Sequence, residues 1–314
     1  MEQYLDLCGE LFERNQSART RVFISPHNVH TCSDALLKEI RDFGTNHSTG
    51  IHIHLQETIY QRMYGSRNWG KTPLAHLYDL GFLGPDVSCA HGVWLSDSDI
   101  DILAATGTAI CHNPSSNLRI KSGIAPLTEM IEKGVTVAIG IDEATINDDN
   151  DLLQEMRLAH NLNAVPGIDN GRTTSHQILH LATTNGAKAT FFENEIGELK
   201  PGKRADMVLV SLDRICEPYL APGTNTVDAL IYRGRASDVD TVIVDGRVLL
   251  RNGTHTYLDK EETIARLKES LSVPLTPTQR DRSKLGQRLI PYAQTFLQSR
   301  TLETGNPFYY YNQR

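Results

Sequence analysis

The chain has 314 residues, 39% of them hydrophobic and 22% charged, a globular mixture that excludes collagen, low-complexity disorder and a disulfide-stapled miniature fold. Lys and Arg number 31 against 38 Asp and Glu, a net charge of −7, which argues against a nucleic-acid surface because phosphates are neutralised by clustered cations. No apolar run reaches the roughly 18 residues needed to span a bilayer, and the charged opening MEQYLDLCGELFERNQ is neither a signal nor a transit peptide. Cys8, Cys32, Cys89, Cys111 and Cys216 are scattered and never in CxxC spacing, as expected for reduced thiols of a cytoplasmic protein, where the sequons at Asn46 and Asn252 carry no meaning.

In chain order, residues 2–15 show helical spacing through Tyr4, Leu5, Cys8, Leu11 and Phe12. A unit then recurs: a short apolar run, a polar cluster and an amphipathic segment. The runs are RVFIS at 21–25, GIHIH at 50–54, DVSCAH at 86–91, TAICH at 108–112 and VTVAIGID at 135–142. Helices are expected at 33–44, 73–83, 96–107 and 124–134, with Ser33, Asp34, Ser96 and Asp97 as N-cap candidates and Gly44, Gly107 and Gly134 as stops.

Strands alternating with helices imply an α/β protein with parallel strands joined by right-handed crossovers. The chemically capable residues stand at strand C-termini: His27 and His30, His54 with Glu57, His91, His112 with Asn113, and Asp142. A doubly wound sheet gathers its ligands at one switch point, whereas every run contributes here, which favours a (β/α)8 TIM-type barrel. At about 30 residues per unit only five of eight strands can be placed, so the expectation is a partial barrel carrying strands 4–8.

Beyond residue 195 the pattern changes. GELKPGKRADMVLVSLD at 197–213 and ALIYRGRASDVDTVIVDGRVLLRNG at 229–253 read as strands and hairpins, with an Asp-Gly turn at 245–246. Residues 259–300 return to helical spacing, and the aromatic tail NPFYYYNQR is expected to pack on a neighbouring surface. The expected division is therefore a partial barrel at 1–195, a small β-sandwich module at 196–256 and a helical tail at 257–314.

In IHIHLQET at 51–58, a strand ending in His54 and followed by Glu57 sets an imidazole and a carboxylate at one rim. Imidazole is the commonest zinc ligand, and a glutamate beside it can move a proton. His52 and His54 also form an HxH pair on one strand face, so two metal-site readings compete. His91 and Asp142 add an imidazole and a carboxylate from two further strand ends. No phosphate loop, nucleophile elbow or GxGxxG occurs, which removes nucleotide hydrolysis, serine hydrolysis and dinucleotide redox.

PHNVHTCS, HIHLQET, CAHGVWLSDSDIDILAATGTAICHNPSSNLRIKSGIAPL and GIDEATINDDNDLLQEMRLA resemble the amidohydrolase superfamily. The branch is that of adenosine-type, guanine, cytosine, pterin and S-adenosylhomocysteine deaminases and triazine chlorohydrolases. The likeness spans about residues 20–255. It implies that His54 is the metal-ligating histidine of the fifth strand, with His52 a bystander, and that Glu57 shuttles protons. His91 would hold the hydrolytic water, and Asp142 would bind metal and activate the water. His27, His112, Asn113 and Glu143 would lie on the substrate side, the 112–113 pair with a partly structural role. One divalent metal, Zn²⁺ or alternatively Fe²⁺, a small heterocyclic substrate and a homo-oligomer are implied. The family's first-strand HxH has no match, and His47 and His52 do not fit it. The chain is therefore expected to represent the C-terminal two thirds of such an enzyme, to bind metal weakly and to turn over little; the competing expectations are a non-catalytic or partner-completed scaffold, and a rearranged site using His52.

Overall fold

The computed structural model describes residues 2–301 apart from Gln16, Ala144, Thr145, Asn147, Asp148 and 165–172, and the side chains of Glu2 and 297–301 also lie outside the description. The aromatic tail therefore falls outside the described residues.

After helix α1 (Glu2–Arg14), strand β1 (Phe23–Ile24) begins a five-stranded parallel sheet in the order β1-β2-β3-β4-β5, with β2 (Gly50–Leu55), β3 (Val87–His91), β4 (Ala109–His112) and β5 (Val137–Ile139). All five strands coincide with the expected runs, and each neighbours its sequence successor, as right-handed crossovers allow. Helices α2 (Asp34–Asn46), α3 (Ile59–Trp69), α4 (Pro73–Asp79), α5 (Asp97–Thr106), α6 (Pro114–Arg119) and α7 (Leu127–Glu132) fill the connections.

Two of the expected caps hold. Ser33 accepts the Leu36 N–H at 3.2 Å, and Ser96 forms a reciprocal capping box with Asp99. Gly107 closes α5 in a left-handed conformation, φ 71°. Gly44 is no stop: α2 runs on to Asn46, and a Cβ at Gly44 would meet Ile51 Cδ1 at 3.1 Å, so this glycine lets α2 approach β2 closely.

The sheet has two unlike faces. Ile51, Ile53, Cys89, Ile110 and Val137 are fully buried on one face and join Leu37, Leu74, Leu77, Ile100 and Leu103 in the main core. Each such aliphatic side chain contributes about 1.5–3 kcal/mol through burial. Alternation sends His52, His54, Ser88, Ala90, Cys111 and Ala138 to the opposite face, which strand register aligns laterally (His52 with Ser88, His54 with Ala90, Ala90 with Cys111, Cys111 with Ala138). One face is thus held by close aliphatic packing, leaving the other for polar groups.

Past the helices at Leu152–Leu162, Ser175–Ala182 and Thr184–Ala189, a four-stranded antiparallel sheet orders β6 (Met207–Val210), β7 (Val239–Val244), β8 (Arg247–Arg251) and β9 (Thr254–His255). Asp245 and Gly246 join β7 to β8 with φ 49° and 75°, the left-handed pair that a two-residue hairpin prefers. The described residues of this module form one sheet. The expected strand at ALIYRG is instead a helix, Thr226–Arg233: Asn225 Oδ1 caps it by accepting the Val227 and Asp228 N–H groups at 2.8 and 3.4 Å, and it buries Ala229 and Ile231. The helices Lys260–Ser272 and Pro277–Thr301 follow, as the spacing predicts; no described helix is long and apolar enough to cross a membrane.

Candidate active site

The polar sheet face opens at the C-terminal ends of the strands. His54, near the end of β2, turns Nδ1 to the His27 carbonyl at 2.6 Å, while its own N–H donates to the same oxygen at 3.3 Å. A carbonyl can only accept, so Nδ1 carries the proton and Nε2 keeps a lone pair for a ligand. The His27 and His54 rings lie 5.2 Å apart, centroid to centroid, and the His54 and His91 rings 5.5 Å.

Strict alternation would place His91 with Cys89 on the helix-packed face. The backbone breaks the alternation: His91 is left-handed, φ 74°, and its ring faces His54 from the end of β3. Gln56 and Asp142 are also left-handed, φ 43° and 63°. A non-glycine residue in this region costs about 1–3 kcal/mol, and three such residues at one rim mark where the scaffold spends stability on geometry.

Helix α6, directly after β4, supplies the supports. Asn117 Oδ1 lies 2.9 Å from His91 Nδ1, and the Ser116 hydroxyl donates to Asp142 Oδ2 at 2.5 Å. His91 Nε2 stands 3.8 Å from that same oxygen. Glu155 anchors the start of α6 by accepting the Ser115 N–H at 3.0 Å. Glu57, one residue beyond Gln56, holds the Gln61 side chain through both its N–H (2.7 Å) and its carboxylate (3.4 Å). His30 is near enough to feel the Glu57 charge, although burial and His27 push its pKa down.

The structure therefore brings His27, His54, His91 and Asp142 together, with Glu57 on the His27–His30 side of the rim. His52 lies on the same face as His54, one layer deeper, with Nδ1 2.7 Å from Ser88 Oγ. Its pKa is lowered by burial and then by His54 and His91, while Asp142 opposes the shift. His112 and Asn113 are buried, 1% and 2% exposed. Glu143 follows Asp142 at the rim; Asp148 of the acidic run lies outside the described residues. Cys111 faces Asp142, and burial, aided by that carboxylate, pushes its thiol up to about 11, so it stays protonated. Gln56, Ser116 and Asn117 are the participants that residue-type reasoning missed; Ser116 and Asn117 sit in the quoted HNPSSN run, but nothing local shows which strand end they serve.

His112 has both ring nitrogens unpartnered, and burial, reinforced by His91, pushes its pKa down to about 4. Between about pH 6.5 and pH 4 the unfolded chain takes up a proton that the folded chain refuses. Stability is thus complete above that window and is lost on acidification, by on the order of 3 kcal/mol from this residue. Urea midpoints compared at neutral pH and at about pH 4.5 should show this loss in the parent chain and a reduced loss in His112→Leu. An identical pH slope in both would refute the assignment.

Residues 1–249 match the Amidohydrolase family, and the chain belongs to that family. It is 39% identical over 241 residues to a 5-methylthioadenosine/S-adenosylhomocysteine deaminase of Thermococcus kodakarensis, covering 77% of this chain and 56% of the relative. It is 39% identical over 258 residues to a 5'-deoxyadenosine deaminase of Methanothermobacter thermautotrophicus, covering 82% and 59%. Among solved structures, an adenosine deaminase from Xanthomonas campestris with bound zinc superposes with a TM-score of 0.81 at 27% identity, over 90% of this chain and 62% of that one. An atrazine chlorohydrolase from Arthrobacter aurescens superposes at 0.78 with 24% identity, over 85% and 59%, a likeness of fold. The chain spans less than two thirds of the length of each.

Whether these residues fit a catalytic metal is answered by their donor chemistry. His54 Nε2 and the Asp142 carboxylate suit a divalent ion. Among the described residues, however, no group of three or more His, Cys, Asp or Glu side chains is arranged to hold one, whereas a catalytic zinc usually takes three protein ligands plus water. Among the described residues the donor set falls short of a complete catalytic centre.

Proposed function

We propose that the chain carries catalytic machinery of a hydrolytic deaminase that replaces the exocyclic amine of an adenosine-derived heterocycle with oxygen, releasing ammonia. The observation that carries this is the meeting of His54, His91 and Asp142, in a chain 39% identical to relatives named as deaminases of such nucleosides, with Glu57 three residues after His54. Water adds to the ring carbon bearing the amine, the C–N bond breaks, and the nitrogen leaves with the protons it collects. Glu57 accepts a proton from the water and delivers it to the ring nitrogen. Asp142, oriented by the Ser116 hydroxyl, and His91, oriented by Asn117, hold the water and the developing charge. His27 and Glu143 form the substrate side of the rim, and the adjacent carboxylates of Asp142 and Glu143 favour an amino-rich, weakly basic ring. Buried His112 and Asn113 support the floor.

The resident metal in this reading is a divalent ion, zinc by likeness to the Xanthomonas protein, with His54 and Asp142 as donors and at least one further donor needed. The partial barrel of residues 1–195, the β module of 196–256 and the tail of 257–314 remain the proposed division, in a self-associating cytoplasmic protein.

The test compares ammonia release from 5'-deoxyadenosine, 5'-methylthioadenosine and S-adenosylhomocysteine with chloride release from atrazine, with zinc in excess. Turnover of the nucleosides in preference to the triazine is expected. Folded, zinc-supplied protein that releases ammonia from none of the nucleosides would overturn the proposal.

A further inference from the structure

Gln56 is fully buried between two residues of the proposed chemistry, His54 and Glu57, yet takes no part in it. Both donors of its amide are used, and its oxygen accepts one bond. Oε1 accepts the Leu74 N–H at 3.0 Å, and Nε2 donates to the Trp94 carbonyl at 2.7 Å and to Asp99 Oδ2 at 3.1 Å. The Gln56 carbonyl accepts the Trp94 N–H at 2.9 Å. Asp99, 1% exposed, is saturated in turn: it accepts the Thr72 hydroxyl at 2.5 Å and the Ser96 N–H and hydroxyl at 2.8 Å each. One side chain therefore ties the end of β2 to the start of α4, to the loop after β3 and to the cap of α5.

These ties hold Gln56 in its left-handed backbone, φ 43°, and that turn separates the rim direction of Glu57 from the strand direction of His54. The loop gripped at Trp94 leaves β3 three residues after His91, itself left-handed. We infer that Gln56 is a positioning residue for the proposed deamination: by clamping the β2 end to the β3 loop it sets Glu57 and His54 against His91. A glutamine suits the position because it must donate twice and accept once in a dry site; glutamate would set acceptors against the Trp94 carbonyl and the Asp99 carboxylate.

The inference rests on the proposed function, and its test has one arm independent of it. Gln56→Glu and the shape-conserving Gln56→Met are compared with parent chain for kcat and KM with zinc in excess, for the side-chain ¹⁵N signals of His54 and His91, and for melting temperature. Expected are a fall in kcat of about 10- to 100-fold, the cost of a small misplacement of reacting groups, with KM changed by less than about threefold. Shifted His54 and His91 signals are expected beside unmoved signals from remote His160 and His255. Adding Asp99→Asn to Gln56→Glu restores a donor between positions 56 and 99 and should recover part of the kcat and of the signal positions. Variants that only melt earlier, with kcat and both ring signals unchanged, would overturn the inference. Should the parent chain release no ammonia, the proposed function fails by itself, and the ring signals still decide whether Gln56 positions the rim. Should Gln56→Glu not fold, Gln56→Met carries the same comparison.

Discussion

Replacing Glu57 by glutamine is expected to lower ammonia release by about 10²–10⁴-fold, the range for loss of a positioned general acid–base. Glutamine keeps the shape and can still meet Gln61, so the helix that begins at Ile59 should form as before. What it cannot do is accept a proton from water and return it to the ring nitrogen. The melting temperature should change little, because Glu57 is only half-buried and makes hydrogen bonds to Gln61 alone among those described above. KM should hold within a few-fold, since the lost interaction belongs to the transition state and not to substrate binding. A Glu57→Gln variant with parental kcat would remove Glu57 from the mechanism and leave His91 as the proton carrier.

The second large effect concerns metal. Two donors of the right chemistry, His54 Nε2 and Asp142, face the rim, but no described group of three completes a ligand set. Affinity for a divalent ion rises steeply with ligand number and preorganisation, so the chain should lose zinc readily. After incubation with zinc and passage through a desalting column, zinc measured by elemental analysis is expected to fall well below one ion per chain, and turnover should depend on ion in the assay buffer. One ion per chain retained through the column would show that the donor set is complete. His52→Ala then becomes informative. If His52 is only a hydrogen-bonded neighbour of Ser88, its removal leaves retention unchanged. If retention is lost, His52 and His54 act as an HxH pair.

Much of the fold is written locally. All five parallel strands were legible as apolar runs, because a strand buried against helices needs unbroken Ile, Val and Cys on one side, and Ser33 and Ser96 announced the helices that follow. The errors share a cause. Gly44 looked like a helix stop, but its meaning lies in the Ile51 side chain it admits. ALIYRG looked like a strand, since a short apolar run fits either period; the Asn225 cap and the burial of Ala229 and Ile231 select the helix.

For the site the division is sharper. By itself the sequence determined which residues could do chemistry and which strand each one ends, because composition and the positions of polar breaks after apolar runs are local properties. The tertiary structure alone decided that His91, placed by alternation on the wrong face, turns to meet His54 and Asp142, and that Ser116 and Asn117 hold Asp142 and His91 there. Left-handed backbone at a non-glycine residue is unfavourable in isolation and persists only where packing and hydrogen bonds from distant segments outweigh its cost. No window of sequence contains both sides of that balance.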